Sequence, residues 1–333
     1  MESLWLFLLY LNQFVTGMAL LPSSSKLSFN PMMTLLSQPE YSLSSAPLWS
    51  RRSILSVPLG AAIGGSSLIL RDPGEAVALA QSDNYDAFAS DYDSLDGGPL
   101  AAALGLDTLR SQVVERASGR VLEVGVGTGL NLEYYDPSRV EKLDAIDLSA
   151  GMLAQCSQRL QMTDAGSDSV PTSLRDLRGK VKLSVMDASH LNFEDGVFDT
   201  VIDTFSLCVF SDPVAALREM RRVCKKGEAP ASGAEDSSGQ SRGVVGHPSG
   251  RVLLLEHSSV SEATGSDRGN VVGGKLLAAY QDATAAPVAR LGKGCVWNQR
   301  LLPLLQEAGL DVLGRRTALG GLLSVIEAVP SSA

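Results

Sequence analysis

Three acidic side chains sit at or near the ends of three short apolar runs: Glu123 in VLEVGVGTG, Asp147 in KLDAID and Asp187 in VKLSVMD. Beside the first lies a glycine turn, Gly125, Gly127 and Gly129. Glycine is required where φ is positive or where a ligand presses on the backbone. The spacing G-x-G-x-G puts Leu130 where a dinucleotide fingerprint has its third glycine, so the NAD pattern is not met. A pyrophosphate needs a helix N-terminus aimed at it, whereas Glu123 ahead of the turn suits a ligand with a cationic end, such as an amino acid. Asp147 follows Gly125 by about 20 residues, where a carboxylate at the end of the neighbouring strand accepts from both ribose hydroxyls. Asp187, with Ala188, is placed to accept from an adenine amino group. One such acid is ordinarily a solvated turn or a helix cap; three at successive strand ends point to one shared ligand.

Such acids need a sheet to carry them. β-branched and aliphatic runs predict strands at Arg120 to Gly125, Lys142 to Asp147, Val181 to Met186, Phe198 to Thr204, Arg251 to His257, Leu310 to Arg315 and Leu322 to Val329. Helical patterns lie at Gly129 to Tyr135, Ala150 to Leu160, Asp212 to Cys224 and Asn298 to Ala308, with Asp212 and Pro213 as N-cap and first helical residue. The alternation predicts an α/β fold, a Rossmann-like, seven-stranded, mostly parallel doubly wound sheet. Two insertions, residues 163–178 and 227–250, are polar or rich in Gly, Ser and Pro and are expected to be exposed, mobile loops.

The turn VLEVGVGTGLNLEYY, the stretch FDTVIDTFSLCVFSDPVAALREMRRVCKKG and the strand RVLLLEH resemble the class I S-adenosylmethionine-dependent methyltransferases of the ubiquinone/menaquinone type. Within that superfamily GTGLNLEYY, TFSLC, LLEH and GKGCVWN are most similar to the thiol methyltransferases and to the Oms-type membrane-anchored mitochondrial enzymes. The resemblance spans about residues 84–329. It implies S-adenosylmethionine as cofactor, held by Glu123, Gly125, Gly127, Thr128, Gly129, Asn131, Asp147, Leu148, Met152, Asp187, Ala188 and Thr204. NYDAFASDYDSLDG resembles the aromatic helix that covers the cofactor and nominates Tyr85 and Tyr92. The acceptor is then a small, lipophilic molecule such as a thiol; the alternatives are a quinone or prenyl-lipid ring, or a non-catalytic cofactor-binding assembly factor. The 227–250 insertion departs from the family pattern by splitting a Gly-Gly turn.

Methyl transfer from a sulfonium needs alignment and dryness more than proton removal. Candidate bases are His257 at the end of the fifth strand and Asp203 at the end of the fourth, while Tyr280, Trp297 and Asn298 fall where the superfamily builds its acceptor lid. Cys208 and Cys295 read as small buried hydrophobes. The four cysteines and three histidines match no zinc spacing, so reduced thiols and no metal are expected. The net charge of −9 disfavours a nucleic-acid partner.

Residues 1–80 carry no net charge, so the whole −9 belongs to 81–333, which marks a domain boundary. The first part reads as an organellar address, chloroplast ahead of mitochondrion, with a membrane-associated segment at residues 54–70. Arg51-Arg52 before that run equally fits a twin-arginine signal, and a cleavable transit peptide without a membrane role is the third reading.

Overall fold

The computed structural model describes residues 85–86, 89–90, 92–93, 98–162, 171–227, 249–263, 271–291 and 294–332. The expected address and anchor at 1–80, most of the 227–250 insertion and part of the 163–178 insertion lie outside these residues. Two short helices, α1 (Pro99–Ala103) and α2 (Leu106–Val114), precede β1 (Gly119–Val124). Then follow β2 (Val140–Asp147), α3 (Ala150–Gln161), α4 (Thr172–Arg178), β3 (Val181–Val185), β4 (Thr200–Thr204), α5 (Pro213–Val223) and β5 (Arg251–His257). The chain closes with α6 (Val271–Leu291), α7 (Leu301–Ala308), β6 (Leu310–Ala318) and β7 (Leu323–Pro330).

The sheet order is β3-β2-β1-β4-β5-β7-β6, parallel except for β7, which runs antiparallel to both its neighbours. Strand order reverses between β1 and β4, and that switch point opens a crevice at the carboxyl ends of the strands. The alternating side chains of β1 feed two cores. Leu122 and Val124 join α5 and α7 on one face, and Val121 joins α2, α3 and α4 on the other. β4 is buried along its whole length, as expected of a central parallel strand.

All seven expected strands are present, and three of the four expected helices. The fourth, at 129–135, is instead a single 3-10 turn, Leu132–Tyr134. Positive φ at Gly125, Gly127 and Gly129 keeps the chain out of the helical region ahead of it. Behind it Tyr135 is already extended, ahead of Asp136-Pro137. The 163–178 insertion also needs correcting: its second half is α4, begun after Pro171 and anchored by buried Leu174 and Leu177. Helices α2 and α6 were not legible as periodic patterns. Among the described residues no helix is long and apolar enough to cross a membrane.

Candidate active site

A cleft of about 910 Å3, open solvent at its mouth included, lies over the carboxyl ends of β1, β2 and β4. Its lining takes in Tyr85, Tyr92, Gly125, Gly127, Asp147, Leu148, Met152, Asp187, Ala188 and Thr204, so ten of the sequence-derived candidates converge on one space. Gly125 sits at φ +66° with Ser206 so close that a Cβ would lie 2.4 Å from its Oγ. Gly127, at φ +57°, has nothing within 4 Å of where its Cβ would be. The turn is thus pressed against protein at one glycine and open to the cleft at the next.

Asp147 ties this turn to β2. One carboxylate oxygen accepts from Gly127 N at 2.9 Å and the other from Ser149 N at 2.8 Å. Burial raises its pKa above the ordinary value against the pull of those donors. Asp187 accepts from Ser189 N and Oγ, both at 2.8 Å, which fixes the turn after β3. The lining also takes in the apolar Phe205, Val209, Phe210 and Ala216, with Ser206, Ser211 and Asp212 from the same stretch.

Six expected site residues lie behind the lining rather than in it. Glu123 is buried, accepting from Asn131 Nδ2 and Tyr135 OH, both at 2.8 Å, and burial pushes its pKa up to about 7. Asn131 faces inward too, donating to Thr204 Oγ1 at 2.9 Å and accepting from Arg110 Nη1 at 3.1 Å. Thr128 donates to Asp93 of the covering segment. Gly129 is a packing glycine, since a Cβ there would lie 2.7 Å from Leu132. Asp203 is fully buried inside β4 and is not part of the cleft lining. It lies beside buried Glu256, and burial raises both carboxyls. His257 meets the Phe205 ring in a tilted contact, 5.4 Å between ring centroids.

Phe205 is the strained element, with φ +60°. It is held there by Ser206 N and Leu207 N donating to Glu256 Oε1 at 3.0 and 3.3 Å, and by the Arg110 guanidinium 4.8 Å over its ring. Arg110 also donates to Thr204 Oγ1 at 3.0 Å. No sequence signal marked Arg110, because its partners lie across the fold. Asp86 and Asp93 were missed as well, although each follows one of the nominated tyrosines. Asp86 accepts from Gly151 N at 2.7 Å and from Ser149 Oγ, and Asp93 pairs with Arg159. The expected lid residues do not reach the cleft lining. Trp297 is completely buried, Tyr280 meets it edge-on, and Asn298 donates to Asp282 at 3.1 Å.

Residues 122–229 match the family described as "Methyltransferase domain". That match takes in about a third of the chain, from β1 to the residues after α5. Over 114 residues it is 40% identical to "Phosphatidylethanolamine N-methyltransferase" of Cereibacter sphaeroides, covering 34% of this chain and 49% of that protein. Over 219 residues it is 27% identical to "Methyltransferase OMS1, mitochondrial" of Saccharomyces cerevisiae, covering 63% of this chain and 38% of that one. A "Demethylmenaquinone methyltransferase" of Thermobifida fusca is 32% identical over 162 residues, 47% of this chain and 59% of the relative. The chain thus spans about half or less of the first two relatives. S-adenosylmethionine is the cofactor this domain implies. The residues present fit it, with a glycine turn open at Gly127 and two strand-end carboxylates facing one cleft.

Proposed function

We propose that the chain is an S-adenosylmethionine-dependent methyltransferase for a small lipophilic acceptor, with thiols first. When bound, the cofactor supplies a methyl already activated on a sulfonium sulfur. Asp147 and Asp187 orient the nucleoside, Gly125 and Gly127 let the backbone approach it, and Tyr85 and Tyr92 cover it. Thr204, Leu148, Met152 and Ala188 complete its pocket. The apolar wall of Phe205, Val209 and Phe210 holds the acceptor and excludes water. Residues 81–333 act as the catalytic unit.

The distribution of titratable groups over the cleft carries the choice of acceptor. Its described titratable lining residues are Tyr85, Tyr92, Asp147, Asp187 and Asp212. Asp147 and Asp187 belong to the nucleoside end, and Asp212 caps α5 by accepting from Ala215 N at 2.9 Å. Such a site suits an acceptor that is nucleophilic without a base, as a thiol is through its thiolate fraction near neutral pH. The second reading, a quinone or prenyl-lipid ring, draws on the demethylmenaquinone methyltransferase relative. An organellar location fits the acid-poor first 80 residues and the mitochondrial relative; imaging a full-chain fusion chooses between mitochondrion and chloroplast.

The test is transfer of labelled methyl by the full chain to aliphatic thiols, aromatic thiols, demethylquinones and phosphatidylethanolamine, with Asp147→Ala as control. Thiol methylation that rises with pH along the acceptor's own ionisation, and is lost in the control, is the expected result. Label found only in the quinone or the lipid amine replaces the thiol reading. Cofactor binding without transfer to any acceptor favours the assembly factor.

A further inference from the structure

Cys208, His257 and Cys295 are far apart in the sequence, and none belongs to the cleft lining. Three separate segments deliver them to one place: the 3-10 turn Leu207–Val209 after β4, the last residue of β5, and the stretch between α6 and α7. The two sulfurs are 3.4 Å apart, and Cys295 Sγ is 3.9 Å from His257 Nδ1. All three candidate ligand atoms lie within 4.8 Å of one another. Both thiols are buried and the imidazole is half-buried. The surroundings hold this geometry, because Val296 N donates to Cys208 O at 2.8 Å and Phe205 packs on the imidazole.

The spacing and the charge together say what fits between these atoms. Zinc bonds thiolate sulfur at ~2.3 Å and imidazole nitrogen at ~2.0–2.1 Å, so tetrahedral donors stand roughly 3.5–3.8 Å apart. The two printed separations, 3.4 Å between the sulfurs and 3.9 Å from Cys295 Sγ to His257 Nδ1, fall on either side of that range, and the third pair lies within 4.8 Å, so small side-chain rotations bring all three donors onto one ion. Two thiolates and a neutral imidazole around a divalent cation carry no net charge, which removes most of the penalty for burying the ion. A monovalent soft ion such as copper(I) would leave a net negative charge on a buried site.

We propose that Cys208, His257 and Cys295 bind zinc, with the fourth position taken by water. On binding, each thiol loses its proton to solvent and two Zn–S bonds and one Zn–N bond form. The ion ties the turn after β4, the end of β5 and the start of the α7 segment into one unit behind Phe205 and Val209, and so stiffens the apolar wall of the cleft. Nothing in this depends on the methyltransferase reading, because metal binding is measured without substrate or cofactor.

The experiment uses the untagged full chain, reduced and stripped with a chelator, then titrated with zinc against a chromogenic competitor and, separately, with cobalt(II). One zinc per chain is expected, with thiolate-to-cobalt charge-transfer absorption. Affinity should fall at least about 100-fold in Cys208→Ser and in Cys295→Ser and about 10- to 100-fold in His257→Gln. Cys156→Ser and Cys224→Ser, at buried cysteines outside the trio, should bind as the parent does. Zinc should raise the Tm of the parent but not of Cys295→Ser, a comparison that holds even if the variant is less stable at the outset. Zinc binding equal in all five variants, no stoichiometric binding by the parent, or a Cys208–Cys295 disulfide in chain isolated without reductant would each overturn the proposal.

Discussion

Gly127 and Asp147 act as a pair: the backbone of one is held by the carboxylate of the other across adjacent strands, and both face the cleft. Replacing Gly127 by Ala meets no protein atom but forces a side chain into φ +57°, at a cost of about 1–2 kcal/mol. The new methyl also projects into the cleft. Urea denaturation of Gly127→Ala should show that modest loss, while calorimetric S-adenosylmethionine affinity should fall by at least about tenfold. Glu123 makes a different prediction. Burial lifts its pKa from 4.5 to about 7, so between those values the folded chain holds a proton that the unfolded chain has released. Stability therefore falls as pH rises from about 4.5 to about 7, and the full penalty, about 3 kcal/mol, is present above that. Glu123→Gln should lose this slope; parallel urea midpoints for parent and variant between pH 5 and pH 8 would refute it.

The elements around the cleft are held by acids at their ends. Ser149 caps α3 by accepting from Met152 N at 3.0 Å, and Asp86 adds a second acceptor for Gly151 N. Asp93 reaches Thr128 and Arg159 in the same way. Tyr85 and Tyr92 thus take their places over the cleft from the aspartates that follow them. These are partly exposed contacts, worth about 1 kcal/mol or less each to global stability. Asp93→Asn should shift the Tm little, yet weaken S-adenosylmethionine binding several-fold and raise hydrogen exchange in the 85–93 segment; unchanged affinity would mean that the tyrosines are positioned without it.

The whole molecule treats the 227–250 insertion as a detour. Its two ends meet: Gly250 N donates to Lys225 O at 2.9 Å, and Ser249 lies against Gly227. This junction sits at the amino end of β5, opposite the cleft. Deleting residues 228–248 should therefore leave cofactor binding within about twofold and, by shortening a closed loop, raise stability by about 1 kcal/mol. A collapse of the fold in calorimetry would show that the insertion packs where the ends give no hint of it.

By itself, the sequence was enough for the seven strands, the glycine turn and the strand-end acids Asp147 and Asp187, because periodicity and turn chemistry are local and a parallel sheet puts successive strand ends on one rim. Helix α2 escaped notice since its few apolar residues give a weak pattern, and α4 because Leu174 and Leu177 are too few to reveal a face against a polar background. Only tertiary structure separated the residues that line the cleft from those that brace it. Glu123 and Asp203 share the motifs of their neighbours, but side chains alternate across a strand, so adjacent positions face opposite ways; Asn131, ahead of the 3-10 turn, is turned inward by its bonds to Glu123 and Thr204. Their partners Arg110, Tyr135 and Glu256 come from other elements. The same holds for Cys208, His257 and Cys295, which have no metal-like spacing along the chain and become neighbours only when β4, β5 and the segment before α7 pack together.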